Sequence, residues 1–105
     1  MYSVPGTAGV SNTFRATGAT PGSVVGFYLG STLGSSLIIR PTCPLGVALG
    51  IAANGRRLLG TARANALGVA VLSVPVPAGL AGKTLRIQAA DQASCKASNL
   101  VTEQF

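Results

Sequence analysis

The chain contains no histidine, and only two acidic residues, Asp91 and Glu103, stand against eight basic ones. Without histidine, the Ser-His and Cys-His pairs that activate a nucleophile cannot form, and the commonest metal ligand is missing. A glycosidase-like pair would have to combine Asp91 with Glu103, and no other feature of the sequence supports it. We therefore expect a protein that is not an enzyme, with no catalytic, metal or cofactor site.

Charge is scarce along the whole chain, since 10% of the 105 residues are charged whereas 48% are hydrophobic. A soluble domain of this size is usually about a quarter charged. Much of the surface is therefore expected to be covered by other protein. The partner that this composition favours is a further copy of the chain, in a homo-oligomer or homopolymer.

The sequence also lacks a convincing membrane span. The strongest candidate is the uncharged stretch 16–39, where glycine recurs every fourth residue as in closely packed membrane helices. Pro21 and the high glycine content disfavour a helix, whereas the same spacing places glycines on one face of a strand. We expect strands here and no membrane span. The glycines concerned are Gly18, Gly22, Gly26, Gly30 and Gly34.

Glycine and proline divide the rest of the chain into short apolar segments, which is typical of an all-β domain. The clearest strand is 84–90, where Leu85 and Ile87 alternate with Arg86 and Gln88. Eight strands are predicted in all. They span residues 12–17, 23–29, 37–40, 47–52, 58–63, 69–76, 84–90 and 99–105.

Strand 23–29 is apolar on both faces. Val25, Phe27 and Leu29 are expected to face the core, and Val24 and Tyr28 to face outwards. Because an apolar outer face avoids water, we expect Val24 and Tyr28 to contact another subunit.

A turn is predicted within residues 63–69, because Asn65 and Gly68 both tolerate left-handed backbone. The strands on either side are expected to pair with each other as an antiparallel hairpin. Residues 1–11 are expected to lie outside the domain formed by residues 12–105. Within this N-terminal segment, Tyr2 and Val4 are candidates for a strand that adds to a neighbouring subunit's sheet.

Cys43 and Cys95 are the only cysteines, and in a chain without histidine they suit a disulfide better than a metal site. Pairing within one chain and pairing between chains both stay open. A disulfide requires an oxidising compartment, so we expect an extracellular or cell-surface protein whose leader is absent from this numbering.

Four segments together resemble the immunoglobulin-like and fibronectin-III-like modules of bacterial secreted and surface proteins. They are SVVGFY at 23–28, LGTARANALGVA at 59–70, VPAGLAGKTL at 76–85 and ASNLV at 97–101. The resemblance implies an Ig-like fold, a two-sheet antiparallel β-sandwich of about seven to eight short strands, with a structural or adhesive role. It carries no catalytic residues over to this chain.

A basic patch is the main alternative to self-assembly. Arg56, Arg57 and Arg63 lie close in sequence, and arginine suits phosphate and carboxylate groups. They are candidates for contact with an acidic polysaccharide or another anionic surface. Nucleic acid is a less favoured partner because few aromatic residues are present to stack on bases. The segment Gly82-Lys83-Thr84 is not read as a phosphate loop, because Pro77 replaces the first glycine of that motif and a strand follows.

The sequence thus predicts a structural subunit of an extracellular filament, sheath or surface layer. Its copies are expected to associate through faces rich in glycine, alanine and valine and through edge strands. The alternative is a monomeric adhesion or ligand-binding module that uses the three arginines.

Overall fold

The computed structural model describes residues 2–4, 9–76, 78–98 and 100–104. Each of the eight predicted strands is present, and the two that cover 37–40 and 47–52 begin four residues earlier than predicted. A short strand near residue 96 was not predicted, whereas the short N-terminal strand was expected as a strand that adds to a neighbouring subunit's sheet. In chain order the described strands are β1 (Tyr2–Val4), β2 (Ser11–Ala16), β3 (Val24–Gly30), β4 (Leu33–Arg40), β5 (Cys43–Ile51), β6 (Arg57–Arg63), β7 (Ala70–Pro75), β8 (Thr84–Asp91), β9 (Lys96–Ala97) and β10 (Val101–Gln104).

The fold is all-β and antiparallel, as predicted. Strands β1, β2 and β7 form a three-stranded sheet, and β10, β8, β3 and β6 form a second, central sheet to which β9 adds beside β8. The main core lies between these sheets and contains Phe14 from β2, Phe27 from β3 and Ile87 from β8. Val25, Phe27 and Leu29 are all buried in it, which confirms their predicted inward orientation.

Strands β4 and β5 form a separate two-stranded hairpin, which adds a third layer to the predicted sandwich. A second buried cluster joins Ile38, Val47 and Leu49 of the hairpin to Tyr28 and Ala90 of the central sheet. The hairpin packs there because β3 carries apolar side chains on both faces and β8 adds Ala90, and apolar surface is stabilised by leaving water. The outer face of β3 is therefore covered, as expected, but by the same chain.

Two of the regularly spaced glycines allow close contacts, Gly30 between the central sheet and the hairpin and Gly34 within the hairpin. A side chain at Gly30 would collide with Ile51 Cγ2, and one at Gly34 would lie 2.9 Å from Ala52 Cβ. Gly26 and Gly30 both lie in β3, four residues apart, so they share one face of the strand. Gly26, Gly30 and Gly34 thus lie in strands and not in a helix, whereas Gly18 and Gly22 lie in the loop between β2 and β3.

The predicted turn around Asn65 is present, but the predicted hairpin on either side of it is wrong. Asn65 Oδ1 accepts hydrogen bonds from the backbone N–H groups of Leu67 and Val69 at 2.9 and 3.0 Å. However, β6 pairs with β3 whereas β7 pairs with β2, so the chain crosses from one sheet to the other at this turn. The crossing is stabilised because Ala19 donates a backbone hydrogen bond to Gly68 at 3.0 Å.

The N-terminal strand β1 pairs with β2 of its own chain, in a register that places Tyr2 opposite Arg15 and Val4 opposite Thr13. Tyr2 and Val4 thus form a strand of their own chain's sheet, and their addition to a neighbouring subunit's sheet stays a prediction. The segment does extend a sheet, because β2 offers it an antiparallel partner within the molecule.

Candidate functional site

The predicted disulfide is confirmed, and it forms within one chain. Cys43 is the first residue of β5, Cys95 lies in the turn between β8 and β9, and their Cα atoms are 5.6 Å apart. The bond therefore fastens one end of the hairpin to the central sheet. Gln88 of β8 holds the hairpin to the central sheet at a second point, because its Oε1 accepts a hydrogen bond from Gly50 N at 2.9 Å. Its Nε2 donates to Ser98 O at 2.7 Å.

The fastened hairpin exposes large apolar side chains on its outside, and we name these the hairpin face. Because Ile38 is buried against the central sheet, its neighbours Leu37 and Ile39 point away from that sheet and are 55% and 65% exposed. Among the described residues, the hairpin provides half of the large hydrophobic side chains that are exposed. The hairpin face consists of Leu37, Ile39 and Leu45, with Leu33 at its edge, where the register pairs Leu33 with the buried Ile51.

The hairpin face was not predicted from the sequence. Strand β4 was placed at 37–40 only, which left Leu33 outside it, and Leu45 was assigned to no strand. The available signal was the apolar run Leu37-Ile38-Ile39, since in an extended strand one of these three must face opposite to the other two.

Tyr28, predicted to contact another subunit, is instead buried beneath its own hairpin with 3% exposure. Arg40 Nη2 donates to Tyr28 Oη at 3.1 Å, and the Arg56 guanidinium carbon lies 6.0 Å from the centre of the Tyr28 ring. These contacts satisfy both the hydroxyl and the ring face of Tyr28 within the chain. Val24 is half-buried at the opposite end of β3, and its contact with another subunit stays a prediction.

The three arginines of the predicted basic patch do not lie together, which corrects the prediction of one patch. Arg57 begins β6 and Arg63 ends it, so the two are separated by roughly 20 Å along the strand. Arg63 Nη1 donates to Gly22 O at 2.8 Å and so binds a loop of its own chain. Arg56 and Arg57 remain together at the other end of β6.

Other basic residues join Arg56 and Arg57 around the end of β3, and we name this group the β3-end cluster. Arg57 pairs with Leu29 in the backbone register of β6, and Arg86 pairs with Gly30 in that of β8. A pocket of about 160 Å³ beside Leu29 and Gly30 is lined by Arg57 and also by Lys83. The β3-end cluster consists of Arg56, Arg57, Lys83 and Arg86.

The sequence did not reveal the β3-end cluster because its members come from distant segments. Lys83 and Arg86 lie 26 or more residues after Arg57 and become its neighbours only through the pairing of β6 and β8 with β3. Arg86 also donates from Nη1 to Ser31 O at 2.9 Å, which holds its guanidinium beside the end of β3.

Asp91 lies at the opposite end of β3, opposite Val25 in the register, and is 7% exposed. Burial by itself raises the pKa of Asp91, but hydrogen bonds from the backbone N–H groups of Thr20 and Ala93 and from the Thr20 hydroxyl lower it further than burial raises it. The net result is a pKa well below the usual range, so the group is ionised at neutral pH. The hydrogen bonds that Asp91 accepts stabilise the fold. A cleft of about 290 Å³ beside Asp91 is lined mainly by small residues.

Within the described residues, no three histidine, cysteine, aspartate or glutamate side chains lie close enough to share a metal ion. Helical structure in the same residues is confined to the single turn Ala78–Leu80, and a turn of that length cannot reach across a bilayer. No family model, curated protein or solved structure matches this chain.

Proposed function

We propose that the protein is a structural subunit whose copies associate through the hairpin face. The observation that carries this proposal is the exposure of Leu33, Leu37 and Ile39 at 55–65%, on a strand with no charged residue before Arg40. Apolar side chains concentrated on one surface of a small protein are stabilised by contact with another apolar surface.

A second copy of the chain is the partner that fits best. Strand β4 pairs with β5 on one side, and no described strand pairs with its other side. An unpaired edge favours a further strand. Two β4 strands related by a two-fold axis would pair antiparallel and place both sets of leucine and isoleucine side chains in one continuous face.

The proposal also includes the cellular compartment in which the protein assembles. The Cys43–Cys95 disulfide is typical of proteins that fold in an oxidising environment. We therefore assign the assembly to the exterior or the surface of the cell. The sandwich supplies a rigid support for the hairpin, as expected of a building block.

The experiment compares two double variants by light scattering and electron microscopy over a range of concentrations. Leu37→Thr with Ile39→Thr removes apolar surface from the hairpin face while keeping strand propensity. The control, Leu67→Thr with Val71→Thr, removes similar surface from side chains that are 84% and 51% exposed elsewhere. We expect the wild type and the control to associate and the hairpin variant to remain monomeric. A wild type that is monomeric at every concentration would refute the proposal, as would equal association of both variants.

Salt distinguishes this function from adhesion to an acidic polysaccharide. Apolar association persists or strengthens as salt concentration rises, whereas binding of a polyanion by arginine weakens steeply. We expect the associated species to be retained in high salt. Their dissociation under those conditions would favour the adhesion module instead.

A further inference from the structure

We propose that the pocket in the β3-end cluster binds a tetrahedral oxoanion, a phosphate or sulfate group, between Arg57 and Lys83. This site is independent of self-association through the hairpin face, because it lies at the end of β3 and uses none of the hairpin-face residues. The sequence predicted Arg57 as a contact for an anionic surface, but it did not predict that Arg57 and Lys83 share one pocket.

The first argument is the juxtaposition of two cations on one pocket. Arg57 is the first residue of β6 and Lys83 directly precedes β8, and both line the same pocket of about 160 Å³. That volume is comparable to about five water molecules at roughly 30 Å³ each, which is enough for one oxoanion. Arginine presents a planar fork of N–H donors and lysine a compact charge, and together they suit an oxoanion.

The second argument is the composition of the remaining walls. Leu29, Leu80 and Leu85 also line the pocket. Apolar walls exclude water from one side of a bound anion, and a lower local dielectric strengthens its attraction to the charged side chains. Among the described residues that line the pocket, none is acidic.

The third argument is the charge that surrounds the pocket. Arg56 and Arg86 flank Gly30 beside it without lining it, since the Arg56 guanidinium lies over the Tyr28 ring and Arg86 Nη1 donates to Ser31 O. Their charge adds to the positive potential at this end of the molecule. Asp91 lies at the far end of β3 and is bound by Thr20, Ala93 and Ser94. It therefore does not neutralise the cluster.

The test is titration of the full chain with inorganic phosphate at fixed ionic strength, followed by amide chemical shifts. Arg57→Gln with Lys83→Gln removes the two cations of the pocket. Arg63→Gln with Lys96→Gln is the control, because it lowers the net charge from +6 by the same two units at sites outside the pocket. We expect saturable shifts near Ser31 and Lys83 in the wild type, at least tenfold weaker binding in the pocket variant, and binding within about twofold of wild type in the control.

A labelling experiment on the unmodified chain supports the same conclusion without relying on a variant. The chain has two lysines, Lys83 and Lys96, and only Lys83 lines the pocket. Phosphate should slow acetylation of Lys83 several-fold and leave that of Lys96 unchanged. Equal protection of both lysines, equal weakening in both double variants, or shifts that do not saturate would each overturn the proposal.

Dextran sulfate, at the same ionic strength, tests whether the oxoanion belongs to a polymer. If its binding depends on Arg57 and Lys83 as phosphate binding does, the site takes a sulfate group carried on a polysaccharide. If only inorganic phosphate binds, the site takes a free ion. If dextran sulfate alone binds and both double variants weaken it equally, the attraction is to net charge and the proposed site is refuted.

Discussion

Gln88 and Gly50 are joined by a 2.9 Å hydrogen bond that links the centre of β8 to the hairpin above it. Gln88 is 7% exposed, so its amide is largely withdrawn from water and depends on partners within the protein. Its other end donates to Ser98 O. One side chain thus holds together the hairpin, the central sheet and the segment that follows β9.

Replacing Gln88 with leucine should loosen the hairpin. Gly50 N–H and Ser98 C=O would each lose a partner in a partly buried place, and we expect the free energy of unfolding to fall by roughly 1–3 kcal/mol. Urea denaturation measures the loss, and hydrogen exchange at Gly50 locates it. Gln92→Leu, in the neighbouring turn, is the control and should have a smaller effect. Slow exchange at Gly50 in the Gln88 variant would contradict this account.

Removal of the disulfide should cost more than removal of Gln88. Cys43 and Cys95 are 52 residues apart in sequence, and closing a loop of that length restricts the unfolded chain by about 4 kcal/mol in the entropy model. We expect the Cys43→Ala, Cys95→Ala double variant to unfold at a markedly lower denaturant concentration. Adding a reductant to the wild type should reproduce that shift. A midpoint that neither change moves would show that the bond contributes no stability.

Acid should destabilise the protein through Asp91. Since its pKa is lowered in the folded state, Asp91 contributes stability above the pKa of the unfolded chain, about 3.8, and loses that contribution as pH falls further. We expect stability to be steady between pH 8 and pH 5 and to fall below about pH 4. Asp91→Asn should be less stable at neutral pH and less sensitive to acid. An identical acid response in wild type and variant would refute this role.

Alanine should be poorly tolerated at Gly68 and well tolerated at Gly79. Gly68 has a φ of +75°, and a Cβ there would collide with the carbonyl oxygen of Ala19. We expect Gly68→Ala to lower the melting temperature, with a loss of more than about 1 kcal/mol. Gly79, which has open space around its Cα, is the matched control and should change little. Equal melting temperatures for the two variants would contradict the crossing geometry at this turn.

Local patterns were sufficient to predict the strands and the inward face of β3. The two-residue alternation of Val25, Phe27 and Leu29 places them on one face whatever the topology. The disulfide was also predictable, because Cys43 and Cys95 had no other partner in the chain. In both cases the information lies in the residues themselves.

The partners of each strand were not predictable in the same way. Asn65 and Gly68 specify a turn, but they do not determine whether the strands beside it share a sheet. That choice depends on contacts with Ala19 and with β2, which are distant in sequence. The covering of Tyr28 by the hairpin of its own chain likewise depends on contacts between segments that are distant in sequence. An apolar outer face predicts that something covers it, and only tertiary structure identifies what does. The Ig-like resemblance stays a prediction.

The chain leaves the central sheet at Gly30, forms the β4–β5 hairpin and rejoins the sheet at Arg57. The two ends of this segment lie close together, because the Cα of Arg56 is 3.9 Å from the Cβ position of Gly30. Since β3 and β6 are already antiparallel neighbours, a tight turn would be enough to connect them. The β4–β5 hairpin is therefore an insertion that the topology of the central sheet does not require. If the hairpin were grafted onto another β-sandwich, the graft would need both cysteines of the disulfide and a sheet whose outer face is apolar.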